Sequence, residues 1–186
     1  MNDADNIKQF LDGDADALCS LIETYRKPLF SFILELAGRD SDADEIFQEV
    51  WLKAIHALPR YNHKGRFASW LFKIAHRQVI DRSRKRKWLL FADMGTETAP
   101  PLPKAVSHIT PTDTLSNYEL GCIIRSAVTS LPTEQKEVFL LRMDADLSFK
   151  EIANIQKTSI NTVLARMSYA KQKLREQLSG LYKELT

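Results

Sequence analysis

The chain has 186 residues, of which 44% are hydrophobic and 27% charged, with a formal net charge of +2; this is the makeup of an ordinary soluble globular protein of one domain or two small ones. No apolar run approaches the ~18 residues that a membrane span needs, and the opening MNDADNIKQF has neither the basic start nor the apolar core of a secretion signal, so a cytoplasmic protein without direct membrane insertion is expected. The near-neutral total hides two poles. Residues 1–50 carry 4 Lys/Arg against 12 Asp/Glu, a net −8, whereas residues 53–87 carry 11 Lys/Arg against Asp81 alone, a net +10. Opposed poles of this kind suit macromolecular partners better than small-molecule chemistry.

From Asp14 to Ala37 a helix is predicted, because Leu18, Leu21, Ile22, Tyr25, Leu29, Phe32, Ile33 and Leu36 recur at three- and four-residue steps. Pro28 is expected to kink or divide it, and Gly38 to stop it. Ser41 or Asp42 can cap the next helix, with Asp44 and Glu45 in its first turn, where the dipole favours them. Ile46, Val50, Leu52, Ala54 and Leu58 suggest its buried side, and Pro59 its end. The acids Asp40, Asp42, Asp44, Glu45 and Glu49 can be read as a metal cluster or as a solvated helix start. Their spacing favours the second, and leaves them as a surface for a basic protein partner. Cys19 and Cys122 lie over 100 residues apart with no CxxC spacing, so a reduced thiol pair is expected.

Arg60 to Arg66 reads as a loop containing Tyr61, Asn62, His63 and Lys64. Helical spacing then resumes through Phe67, Trp70, Leu71, Ile74, Ala75 and Ile80 to Arg86. Lys73, Arg77, Arg84, Lys85 and Arg86 outnumber what Asp81 can neutralise. A basic helix end beside an aromatic and amide loop suits phosphate contacts and stacking on an unpaired base, although a solvated basic face fits as well. Residues 89–118 change character, with Pro100, Pro101, Pro103 and Pro111 among Thr, Ser and Ala. This is the composition of a flexible linker, spanning on the order of 30 Å as a coil and roughly 100 Å fully drawn out.

Past the linker, Pro132 stands at a helix start, and Val138, Phe139, Leu141 and Leu147 supply core. Ser148–Glu151 reads SFKE, a capping box in which each side chain satisfies the other residue's backbone donor. A polar turn, QKTS, follows, and Ser159 can cap a last long helix. On that helix Val163, Met167, Ala170 and Leu174 share one stripe, while Asn161, Ala165, Ser168, Tyr169 and Gln172 lie opposite, flanked by Leu164 and Arg166. A short helix, a tight turn and a second helix with small and polar outward residues make a helix-turn-helix. In a major groove, Asn can read adenine and apolar groups can meet a thymine methyl, with Lys171, Lys173 and Arg175 on phosphates. A helical hairpin facing solvent is the plainer reading.

Two stretches, DADEIFQEVWLKAIHALPRY…FASWLFKIAHRQVIDRSRKR and LPTEQKEVFLLRMDADLSFKEIANIQKTSINTVLARMSYAKQKL, resemble in order and spacing the bacterial RNA polymerase sigma factors of the two-domain extracytoplasmic-function group. The resemblance implies an all-α fold of two small helical domains joined by a flexible linker, the second a helix-turn-helix. Residues 1–88 would bind the polymerase and recognise the −10 element, 89–118 would be the linker, and 119–186 would read the −35 element. It implies a promoter-specificity subunit with no catalytic activity and no cofactor, which recognises both elements and helps open the DNA. The partners implied are core RNA polymerase (the β′ clamp helices and the β subunit), promoter DNA and an anti-sigma factor.

Residue by residue, the resemblance assigns polymerase binding to Asp44, Glu45, Gln48, Glu49, Trp51 and Leu52. It assigns the −10 element to Tyr61, Asn62, His63, Lys64, Arg66, Lys73, Arg77, Asp81, Arg84, Lys85 and Arg86. The −35 element falls to Ser159, Asn161, Thr162, Leu164, Ala165, Arg166, Ser168, Tyr169, Lys171 and Lys173. A promoter spacing of about 17 base pairs at ~3.4 Å each is ~58 Å, within the stretched reach of the linker. The chain also departs from its relatives. Arg77 stands where the family often has Asn, Lys64 where it often has an acid, and Leu164 and Ala165 where longer polar groups are common. A −35 readout leaning on methyl contacts, shape and phosphates is therefore expected.

Two other functions compete. A free-standing helix-turn-helix regulator accounts for the second domain but leaves residues 41–87 idle. A metal-dependent nuclease using the Asp40–Glu49 acids lacks ligand spacing, and His56, His63, His76 and His108 form no ligand pair.

Overall fold

The computed structural model describes residues 2–38, 40–62, 66–93 and 115–184, and among them all regular structure is helical. The chain divides into two compact units. Within the first are α1 (Asp3–Leu11), α2 (Ala15–Ala37), α3 (Asp40–Ala57) with a 3-10 turn at Leu58–Arg60, and α4 (Phe67–Asp93). The second holds α5 (Leu115–Thr129), α6 (Thr133–Met143), α7 (Phe149–Gln156) and α8 (Ile160–Glu184). Helix α4 thus passes the Trp88 boundary expected from sequence, and α5 begins inside the expected linker. Residues 94–114, the rest of that linker, lie outside the described residues. Among the described residues no helix is long and apolar enough to cross a membrane, and no group of three His, Cys, Asp or Glu could hold a metal ion.

The first unit packs α2 against α1, α3 and α4. Asp14 caps α2 by accepting from the Asp16 amide at 2.9 Å, and Gly38, at φ 73°, ends it in the left-handed region, where glycine has no Cβ to clash. Pro28 neither divides nor ends α2, which runs unbroken through it. Buried Leu21 on one side and Leu29, Phe32 and Ile33 on the other hold both halves against the same core, and this packing outweighs the ~3 kcal/mol that an internal proline costs. Helix α1 was not anticipated. Its nine residues hold a single fully buried apolar anchor, Ile7, too little for periodicity to register.

Helix α3 begins at Asp40, so Ser41 and Asp42 lie in its first turn instead of capping it. Ala43, Ile46, Val50 and Ala54 face the core. At 100° per residue, Leu52 sits 180° around the axis from Ala43, and it is 58% exposed. Trp51, 80° from that centre, is 5% exposed. Trp51, expected in the polymerase-binding set, is therefore core, and Leu52, expected on the buried side by its spacing and in the same polymerase-binding set, is surface.

In the second unit α5, α6 and α7 all pack on α8. Val163, Met167, Ala170 and Leu174 are buried as the helical stripe predicts, joined by Val138, Leu141, Ile152 and Ile155. The capping box is present: Ser148 Oγ accepts from the Glu151 amide at 3.3 Å, and Glu151 Oε2 accepts from the Ser148 amide at 2.8 Å. Helix α7 ends at Lys157 in the left-handed conformation (φ 53°), and Ser159 caps α8 by accepting from the Thr162 amide at 3.1 Å. The turn between the two helices is thus fixed by hydrogen bonds at both ends.

Candidate polymerase and nucleic-acid interfaces

On α3, Asp44, Gln48 and Leu52 follow one another at four-residue steps and are exposed. This stripe combines a carboxylate, an amide and an uncovered leucine, a mixture that suits a protein partner with basic and apolar groups. Glu45 and Glu49 flank it and turn toward α4, where Arg82 pairs with both, at 3.9 Å to Glu49. One turn further, Arg86 pairs with Asp42 at 3.6 Å. Arg86, expected among the DNA contacts, thus also has an acid of α3 as partner. Trp51 offers no ring to a partner; it lies inside, edge-on to Phe47 at 6.5 Å.

The two sides of α4 differ. Arg82 and Arg86 face the acids of α3, while Arg77, Asp81, Arg84 and Lys85 are exposed. At 100° per residue Arg77, Asp81, Arg84 and Trp88 fall within 60° of one another, and Trp88 is 72% exposed. Lys73, on the same side, is half-buried. Neither Arg82, which builds the seam to α3, nor Trp88 was singled out from sequence. The spacing RxxxR at 82 and 86, facing acids at 42, 45 and 49, was the available signal.

Ahead of α4 stands an aromatic cluster. Tyr61 lies 4.8 Å from Trp70 and 5.8 Å from Phe67, centroid to centroid. Tyr25 of α2 meets Phe67 edge-on at 5.4 Å. Burial first, and then the charge of Asp3, push the Tyr61 hydroxyl above its usual range, so it stays neutral. Asn62 and Arg66 are exposed on either side of the loop. His63 and Lys64, also expected here, lie outside the described residues.

On α8 the outward face carries Asn161, Leu164, Ala165, Ser168, Tyr169 and Lys171, all exposed, with Thr162 half-buried. Ser159 is engaged as the cap. Lys173 donates from Nζ to the Ser130 carbonyl at 3.2 Å. Arg166 departs most from expectation. Its side chain is only 20% exposed; its guanidinium donates to Gln156 Oε1 at 2.9 Å and pairs with Glu134. Gln156 in turn donates to Glu137 at 2.7 Å, and Glu137 is buried. Arg166 therefore ties α6, α7 and α8 together, through Glu134 of α6 and Gln156 of α7.

Arg166→Ala is expected to lower the stability of the second unit by about 2 kcal/mol, since it leaves Gln156 Oε1 and the Glu134 carboxylate without the guanidinium that pairs them. Thermal unfolding of the full chain measures this. An unchanged melting profile alongside weaker DNA binding would return Arg166 to the interface.

The chain has counterparts among known proteins. A model of Sigma-70 region 2 matches residues 21–89, and one of Sigma-70, region 4 matches residues 123–174. The ECF RNA polymerase sigma factor SigW of Bacillus subtilis (strain 168) is 30% identical over 179 residues, spanning 94% of this chain and 96% of that protein. The chain belongs to the extracytoplasmic-function sigma factors. Among solved structures, the fold is similar to the sigma factor RpoE of Bartonella quintana in complex with the anti-sigma factor NepR (TM-score 0.72, 20% identity, covering 87% of this chain and 96% of that one). It is similar also to CnrH in complex with the cytosolic domain of CnrY (TM-score 0.65, 21% identity, covering 96% and 97%).

As an ECF sigma factor the chain is a promoter-recognition subunit, which binds core RNA polymerase and promoter DNA. The region 2 match falls within the first unit, and the region 4 match within the second apart from residues 144–147. The free-standing regulator is not favoured: the region 2 match and the full-length likeness to SigW take in residues 41–87, which that reading left idle.

Proposed function

We propose that the sigma factor docks on core polymerase through Asp44, Gln48 and Leu52, with Glu45 and Glu49 at the margin. The exposed stripe on α3 carries this reading: Leu52, 58% exposed, shares one face with the Gln48 amide and the Asp44 carboxylate, a mixture that suits a protein contact. Tyr61, Asn62 and Arg66, with His63 and Lys64, hold an unpaired base of the −10 element, and Lys73, Arg77, Arg84 and Lys85 grip the adjoining phosphates. Asp81, exposed among them, keeps the phosphates at a set distance by repulsion. Arg86 joins that grip only when Asp42 releases it.

For the −35 element, Asn161, Leu164, Ala165, Ser168 and Tyr169 face the major groove, while Thr162 and Lys171 lie toward its phosphates. Lys173, Ser159 and Arg166 hold the helix-turn-helix together from behind. The protein has no catalytic activity of its own and works in the cytoplasm, where polymerase and promoter meet. An anti-sigma factor is a further partner. Its support is that RpoE, similar in fold, is seen bound to one.

Reconstitution tests the whole. Core polymerase with the purified chain is expected to open and transcribe a specific subset of fragments from a genomic library, and the chain alone to transcribe none. Transcription that ignores the added chain, or activity of the chain without core, would overturn the proposal.

A further inference from the structure

Helix α1 precedes the residues matched by region 2, which begin at 21, and none of the roles above falls to it. Yet its first residue is tied to the loop that captures the base. Tyr25 donates its hydroxyl to Asp3 Oδ2 at 2.6 Å, across 22 residues of sequence. The Tyr25 ring stands edge-on to Phe67 (5.4 Å, 62°), and Phe67 stands edge-on to Tyr61 (5.8 Å, 86°). Tyr61 enters the loop and Phe67 leaves it, so one chain of contacts, Asp3–Tyr25–Phe67–Tyr61, holds both ends of residues 62–66. The body of α1 is anchored separately, by Ile7 and Asn6, both buried.

We propose that α1 is a latch for the −10 loop, with Asp3 and Tyr25 as positioning residues that preset Phe67 and Tyr61 for base capture; this rests on the reading of Tyr61 given above. The physical case has two parts. A hydroxyl-to-carboxylate bond of this length is charge-assisted and strong, and it fixes the outer end of a half-buried ring that meets Phe67 edge-on. Ordering the loop's two ends in advance lowers the entropy lost when a base is bound. Secondly, a carboxylate beside a surface meant for phosphates is unfavourable by itself. Asp3 is tolerable there if its bond to Tyr25 returns more than its repulsion costs.

Those two effects have opposite signs, and this makes the test sharp. If Asp3 only repels DNA, Asp3→Ala raises affinity for the −10 strand; if it latches, affinity falls. The measurement uses holoenzyme assembled from core polymerase and the full chain. A −10 non-template oligonucleotide, taken from a promoter the holoenzyme selects, carries 2-aminopurine at the extruded position. Tyr25→Phe and Asp3→Ala are each expected to weaken base capture about fivefold, read from the fluorescence titration, with affinity for core polymerase unchanged. The double variant should lose no more than either single one, since both break the same bond. Asp3→Asn, which keeps an acceptor oxygen, should recover most of the loss.

Tyr61→Ala separates the failures. If it weakens capture while Tyr25→Phe and Asp3→Ala do not, the latch is wrong and the loop reading stands. If Tyr61→Ala has no effect, the loop reading falls and the latch with it. Additive losses in the double variant, or a gain on Asp3→Ala, also overturn the latch.

Discussion

Combining Asp44→Lys with Leu52→Ala is expected to weaken the complex with core polymerase about a hundredfold, enough to abolish co-elution in gel filtration at micromolar concentration. Two contacts at the centre of a docking stripe, each worth about 1.4 kcal/mol, give that factor. Neither change should disturb the fold, because both side chains are exposed. The comparison that gives the result its meaning is Glu45→Gln with Glu49→Gln. Those acids are shared with Arg82, so their removal takes a charge from the dock and frees a cation on α4. Polymerase binding should fall by only about threefold, as for charges at the rim of an interface. Wild-type co-elution by the Asp44→Lys, Leu52→Ala variant would move the dock off α3.

The same seam explains why the charge poles visible in the sequence overstate what a partner meets. The acids at 42, 45 and 49 and the arginines at 82 and 86 neutralise one another across α3 and α4. Among the described residues, the exposed charges that remain outside these pairs are Asp44 and Lys53 on α3 and Arg77, Asp81, Arg84 and Lys85 on α4. Exposed pairs of this kind add little stability. Their effect is to fix which charges are offered, and the basic face can gain Arg82 and Arg86 when the acids find another cation.

Much of the second unit was legible because its signals are local. The SFKE capping box and the cap at Ser159 are set by neighbours three residues apart, and the stripe Val163–Met167–Ala170–Leu174 is a matter of helical phase alone. The first unit depended more on distant partners. Trp51 and Leu52 differ by one residue, and only the phase set jointly by Ala43, Ile46, Val50 and Ala54 decides which is inside. Pro28 carries a strong local signal to break, overridden by a core built from residues on both sides of it. Helix phase placed Arg166 on the flank of the outward face but could not show its partner Glu134, which lies 32 residues earlier in the chain. Helix α1 escaped for the opposite reason. Its weight in the structure comes from one isoleucine and one hydrogen bond, neither of which makes a pattern.

Placing an arginine at position 165 is expected to change which −35 sequences the polymerase selects. Ala165 lies one turn from Asn161 and about one turn from Ser168 and Tyr169, at the middle of the outward face of α8. An arginine there can make a bidentate contact to the major-groove edge of guanine, worth about 1–3 kcal/mol of discrimination. That corresponds to a preference of about 5- to 150-fold at one base pair. Selection from a library randomised over the −35 region should therefore enrich guanine at a single position, leaving the −10 preference and core affinity unchanged. The wild-type alanine offers only a methyl group, so its own selection should favour thymine or stay loose at that pair. Identical selections by the two proteins would remove position 165 from the interface. Since Arg166 is already bound to α6, the burden would then pass to Asn161, Ser168 and Tyr169, outward groups able to reach a base edge.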